Sequence, residues 1–191
     1  IYVLAEALIP SVIEGDYTVL AEYTGKELEY TEYVPLFDFV HPDKKAYYVV
    51  CDDYVTLTDG TGIVHIAPAF GEDDSRVGRN YDLPFVQLVD SKGEMTKETP
   101  WAGMFCKDAD KEVFRTLSES GLLYAALPFE HSYPFCWRCD TPLIYYARDS
   151  WFIKMTAVRD DLIRNNDTIN WIPESIGKGR FGDWLKNVQD W

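Results

Sequence analysis

The stretch from Gly60 to Asp74, GTGIVHIAPAFGEDD, limits what this chain can build more than any other. Gly60-Thr61-Gly62 is turn chemistry, because glycine alone reaches positive φ without strain. Ile63-Val64-His65-Ile66 is a β-branched run of the kind that forms a half-buried strand. Its alternation puts Val64 and Ile66 on one face and Ile63, His65 and Ala67 on the other. Pro68 has no N–H for a ladder and ends the run. After Gly71, the acids Glu72-Asp73-Asp74 suit the first turn of a helix that continues through Arg76, Val77 and Tyr81. A histidine near a strand end and a carboxylate in the next helix's first turn can converge on one pocket. Taken alone, the same residues read more simply as a packed strand histidine and a solvated helix start.

Composition narrows the class. With 191 residues, 47% hydrophobic and 15% aromatic, the chain can bury a core as one large or two small domains, and disorder is excluded. The net charge of −14 argues against strong nucleic-acid binding by this piece alone, since phosphate contacts need Lys and Arg. That charge is uneven. Residues 1–130 hold 10 Lys+Arg against 24 Asp+Glu, whereas residues 131–191 hold 8 of each and five of the six tryptophans. Two environments follow, 1–130 and 131–191, with the boundary near Pro128–Pro134. No apolar run is long enough to cross a bilayer and no signal-peptide pattern is present, so the reading is a cytoplasmic protein with no membrane partner. The chain opens on Ile1 and is read as part of something longer. Its four cysteines, Cys51, Cys106, Cys136 and Cys139, are expected as reduced thiols.

Along the chain, Tyr2 to Ile13 reads as a short helix entering the domain. Tyr17–Tyr23 and Glu27–Leu36 alternate as strands joined across Thr24-Gly25. Ala46–Thr58 is a strand pair interrupted at Cys51-Asp52-Asp53, and Phe85–Val89 is another strand. Trp101-Ala102-Gly103 is a loop packing point. Asp108–Gly121 is the clearest helix, with an acidic start, Val113, Phe114 and Leu117 on one stripe, and Gly121 as the stop. Several strands with two or three helices, in no strict βαβ order, predict a mixed α+β fold, largely antiparallel and barrel-like, followed by a Trp-rich connecting segment. Cys136-Trp137-Arg138-Cys139 is a Cys-x-x-Cys knuckle that supplies two of the four ligands a structural zinc needs. A metal-free turn with two thiols is the alternative.

The whole string at 60–74 resembles the editing-domain motif of isoleucyl-tRNA synthetases. Valyl and leucyl relatives share the GTG opening but typically carry lysine or methionine where this chain has His65, and lack the Phe-Gly-Glu-Asp-Asp ending. A valyl or leucyl fragment is the less favoured assignment. Residues 133–144 and 171–191 extend the resemblance, the latter as the segment returning from the editing (CP1) insertion toward the synthetic catalytic domain. In this family a matching upstream Cys-x-x-Cys pair closes the zinc with the downstream one, so Cys136 and Cys139 are expected to form half a site. ATP and Mg belong to the parent's synthetic domain and not to this region.

The resemblance implies the second sieve of a two-step discrimination. One methylene is worth only about 1–3 kcal/mol, for which isoleucine against valine in this very enzyme class is the standard illustration. A second, smaller pocket therefore hydrolyses misactivated valine, on the acceptor end of tRNA(Ile) and as valyl-adenylate, while the parent ligates isoleucine to tRNA(Ile) with ATP. His65 and Asp74 are the residues implied for the reaction, and Asp74, His65, Asp73 and Gly62 for substrate binding. Asp74 would take the α-ammonium, with Asp73 as the carboxylate one register away. His65 would limit the side chain or bond the terminal ribose. An oriented water is the expected nucleophile, since His41 and His131 lie in loops and no Ser/His/Asp triad is present. The family's threonine-rich hydrolytic segment lies upstream of the region matching Ile1, so weak hydrolysis by this piece alone is expected. A non-catalytic, zinc-containing binding module is the competing class.

Overall fold

A computed structural model describes residues 1–128 and 130–191. The chain divides into two compact units, Ile1–Ala147 and Arg148–Trp191, and the Cys-x-x-Cys knuckle lies within the first.

Among the described residues there is no β-strand or sheet, which overturns the expected α+β, barrel-like fold. Among the described residues four isolated antiparallel bridges occur: Glu32 with Tyr48 and Val89 with Met95, which touch predicted strands, and Glu94 with Phe105 and Phe135 with Pro142, which lie outside them. A ladder requires two segments to stay extended opposite one another, and here they do not. Tyr30–Tyr33 meets Tyr47–Val49 through three backbone bonds, from Tyr30 N–H to Val49 O (2.8 Å), Val49 N–H to Thr31 O (2.9 Å) and Tyr33 N–H to Tyr47 O (2.8 Å). Tyr30 and Tyr47 then turn to φ +66° and +60°, which ends the pairing on both sides. Tyr17–Tyr23 and Ile63–Ile66 take no regular structure, and their backbones pair with no other backbone among the described residues.

Among the described residues the first unit contains a 3-10 turn at Glu6–Leu8 and four helices: α1 (Ile9–Val12), α2 (Gly25–Leu28), α3 (Glu72–Asn80) and α4 (Cys106–Glu119). α2 replaces the start of a predicted strand. Thr24 Oγ1 accepts from Glu27 N–H while Glu27 Oε2 accepts from Thr24 N–H, the reciprocal capping box that a Thr-x-x-Glu sequence offers. α4 lies within two residues of its expected limits, and Gly121 follows it at φ +71° with its N–H on Ser118 O. α3 carries Glu72, Asp73 and Asp74 in its first turn and Arg79 in its last, as the helix dipole favours. Its Val77 is fully buried, and Gly78 lies close enough to Pro68 that a Cβ there would meet the ring at 2.9 Å. Trp101 is buried under the edge-to-face rings of Phe37 and Phe39, at 5.7 and 5.5 Å.

The second unit is helical: a 3-10 turn at Met155–Val158, then α5 (Arg159–Asp167), α6 (Ser175–Lys178) and α7 (Arg180–Lys186). Its core holds Leu185 and Val188 together with a buried Asn166. Asn166 donates to Gly177 O and accepts from the Trp171 indole N–H, each at 3.0 Å. Gly177 lies directly against the Trp171 indole, and Gly182 against Gly177 O, so neither position has room for a side chain.

Candidate functional site

The turn before the expected site residues is built for packing. Thr61 O accepts from Ala5 N–H at 2.8 Å, and Gly62, at φ +72°, lies so close to Ala5 that a Cβ would collide with it. Gly62 therefore docks the N-terminal segment on this loop. Past it, Ile63, Val64 and His65 are exposed. Among the described residues His65 makes no hydrogen bond or ion pair, and no such bond joins it to Asp74.

Asp74 is better placed. A tight turn from Ala67 to Phe70, closed by Phe70 N–H on Ala67 O at 2.9 Å, folds the chain back onto α3. Asp74 Oδ2 then accepts from Ala67 N–H at 3.0 Å, bridging the loop to the helix's first turn. Gly71 makes room for this, since a Cβ there would fall 2.9 Å from the Asp74 carboxyl carbon. Among the described residues the other oxygen, Oδ1, receives only a long contact from the Tyr54 hydroxyl at 3.5 Å, so most of its acceptor capacity is unspent. The half-buried carboxylate is thus fixed on one side and available on the other.

Beside it lies a charged clamp. Arg76 donates to both oxygens of Asp52, at 2.7 and 2.8 Å, and to Asp73 at 3.1 Å. The fork pulls the Asp52 carboxyl below its ordinary range and raises the guanidinium further. Asp73, the alternative ammonium ligand, is thereby paired with Arg76 through Oδ1. The sequence reading did not single out Asp52, Tyr54 or Arg76 for the site. They join it across 20 and 24 residues of chain, a separation that leaves no spacing pattern.

The knuckle forms a closed turn. Cys136 N–H bonds Thr141 O and Asp140 N–H bonds Cys136 O, both at 2.9 Å, with Asp140 at φ +54°. Cys139 Sγ lies 3.2 Å from Thr141 Oγ1. Bonds from Thr141, and then from Cys136, hold the Cys139 thiol below its ordinary pKa. Among the described residues no cluster of three or more metal-ligating side chains occurs. The pair fits two positions of a tetrahedral zinc site and no more.

A cleft of about 160 Å³ beside α3, lined by Lys44, Ser75, Arg79 and Phe85 among others, includes neither His65 nor Asp74 and is smaller than typical ligand pockets. No helix among the described residues is long and apolar enough to cross a membrane.

Comparison with known proteins agrees with the motif. The chain is 57% identical over 190 residues to the isoleucine–tRNA ligase of Clostridium novyi (strain NT), covering 99% of this chain and 18% of that protein. It is 54% identical to the isoleucine–tRNA ligase of Clostridium acetobutylicum, again over 99% of this chain and 18% of that protein. The corresponding figure for Bacillus thuringiensis (strain Al Hakam) is 46%, over 100% of this chain and 18% of that protein. The chain thus spans about a fifth of the length of the curated relatives it matches. Residues 17–191 match the family of tRNA synthetases class I (I, L, M and V), and the chain belongs to that family.

Proposed function

We propose that this chain is the editing portion of an isoleucyl-tRNA synthetase, hydrolysing valine misattached to tRNA(Ile) and valyl-adenylate. The observation that supports it is the Asp74 carboxylate, held by Ala67 N–H on one oxygen and open on the other, at the end of the GTGIVHIAPAFGEDD string. Oδ1 accepts from the substrate's α-ammonium and so sets the position of the activated carbonyl. His65 lies on the preceding segment, free to limit the side chain or bond the terminal ribose. Water attacks the carbonyl carbon, and the ester C–O bond breaks as the ribose hydroxyl leaves. The parent enzyme joins isoleucine to tRNA(Ile) with ATP in its synthetic domain, in the cytoplasm. Cys136 and Cys139 would hold half of a zinc whose other ligands come from elsewhere in that parent, where the metal would cross-link two segments of chain.

Calorimetric titration with non-hydrolysable valyl- and isoleucyl-adenosine analogues tests this reading. The valyl analogue is expected to bind, with isoleucyl weaker, and Asp74→Ala to abolish binding. Equal affinity for Asp74→Ala and the unaltered chain would overturn the assignment of Asp74, as would absence of binding by the unaltered chain.

A further inference from the structure

Asp74 does not stand alone at its open side. Tyr54 reaches it from a loop whose position is set by a separate set of bonds. The Arg76 fork takes both Asp52 oxygens, and Asp52 Oδ1 also accepts from Tyr54 N–H at 3.3 Å. The guanidinium therefore holds the Asp52–Tyr54 backbone against α3. Residues two apart on a helix face different directions, so Arg76 and Asp74 leave α3 on different sides. From the loop anchored at Arg76, Tyr54 reaches Asp74 Oδ1 at 3.5 Å. Burial, and then the neighbouring Asp74 charge, push the Tyr54 phenol above its ordinary range, so it stays a protonated donor.

We propose that Tyr54 is a positioning residue for Asp74: its hydroxyl orients Oδ1 toward the substrate's α-ammonium, and the Arg76–Asp52 fork holds the loop that carries it. The inference rests on the assignment of Asp74 above. Removing the hydroxyl leaves Oδ1 free to rotate about the anchor at Ala67 N–H, which weakens recognition of the ammonium and of nothing else on the ligand.

The test uses the 191-residue chain with two probes, a non-hydrolysable valyl-adenosine analogue and its des-amino 3-methylbutanoyl counterpart. Their affinity ratio reads ammonium recognition alone. Tyr54→Phe is expected to lower the ratio about three- to tenfold, as loss of a long hydrogen bond to a charged group should, with the des-amino affinity unchanged. Arg76→Lys, which keeps the charge and loses the fork, should lower the ratio less. Should Tyr54→Phe fail to fold, Arg76→Lys decides the matter by the same ratio. A fall in both affinities together marks Tyr54 as ordinary packing and overturns the inference. If Asp74→Asn erases the ratio while Tyr54→Phe and Arg76→Lys leave it intact, the inference fails and Asp74 keeps its role. If Asp74→Asn leaves the ratio intact, or the unaltered chain binds neither probe, the assignment of Asp74 falls, and this inference with it.

Discussion

The two units hold themselves together over different lengths of chain. In the first, Tyr81 Oη donates to Glu29 Oε1 at 2.6 Å, a partner 52 residues away, and accepts from Cys51 N–H at 3.2 Å, across 30 residues. Tyr48 Oη donates to Tyr81 O, 33 residues distant. In the second, the buried Asn166 finds its partners 11 and 5 residues along the chain. In the first unit, helices such as α3 and α4 are joined by irregular loops tied by side chains with distant partners. The second is a compact run of short helices packed through glycine. Where a helix end meets loops tied at a few points, a carboxylate such as Asp74 keeps one oxygen largely unspent, whereas close helix packing leaves little room for one.

The largest expected effect breaks the close-packed side of this contrast. Gly177→Ala forces a methyl into the Trp171 indole and should cost about 2–3 kcal/mol, as overpacking does. Urea unfolding followed by Trp fluorescence measures it, and a cost under about 0.5 kcal/mol would mean that this unit yields as readily as a loop. A smaller effect sharpens the tied side. Asp52 has its carboxyl depressed chiefly by its bonds to Arg76. For a depressed carboxyl, the stability it contributes is complete above the unfolded value, about 3.9, and is lost as pH falls through the lower folded one. Asp52→Asn should therefore flatten the acid limb of the unfolding midpoint against pH while lowering stability at neutrality. An unchanged acid limb would remove the clamp from the stability of this unit. The smallest effect belongs to the surface of α4, where Arg115 pairs with Glu112 and Glu119 at 2.6 and 3.1 Å. Arg115→Ala should change stability by a few tenths of a kcal/mol, about 0.3–0.5, and 0.5 M salt should erase the difference.

Legibility followed the type of pattern each region carries. α3 and α4 were readable because acids open them, apolar residues recur at helical spacing and Gly121 stops the second. Thr24-Gly25-Lys26-Glu27 also carried its signal, a capping box, which alternation in the following residues obscured. The helices after Met155 are not legible in the sequence reading, because their packing relies on Gly177, Gly182, Asn166 and Trp171 as much as on Leu185 and Val188. The predicted strands failed for another reason. β-branched alternation describes a segment able to pair, and pairing depends on what chain lies alongside. Tyr30 and Tyr47 leave the extended region after two or three residues, and no periodicity announces that.

At the site itself, the residues from 60 to 74 by themselves determined the family resemblance, the position of α3 and the presence of Asp74 in its first turn, since all of these rest on neighbours in the chain. Tertiary structure alone decided that Tyr54 stands beside the open side of Asp74 and that Arg76 forks onto Asp52. Those outcomes depend on groups 20 and 24 residues apart meeting within about 3.5 Å, and hydrogen bonds of that kind follow from how the chain closes on itself rather than from its local order.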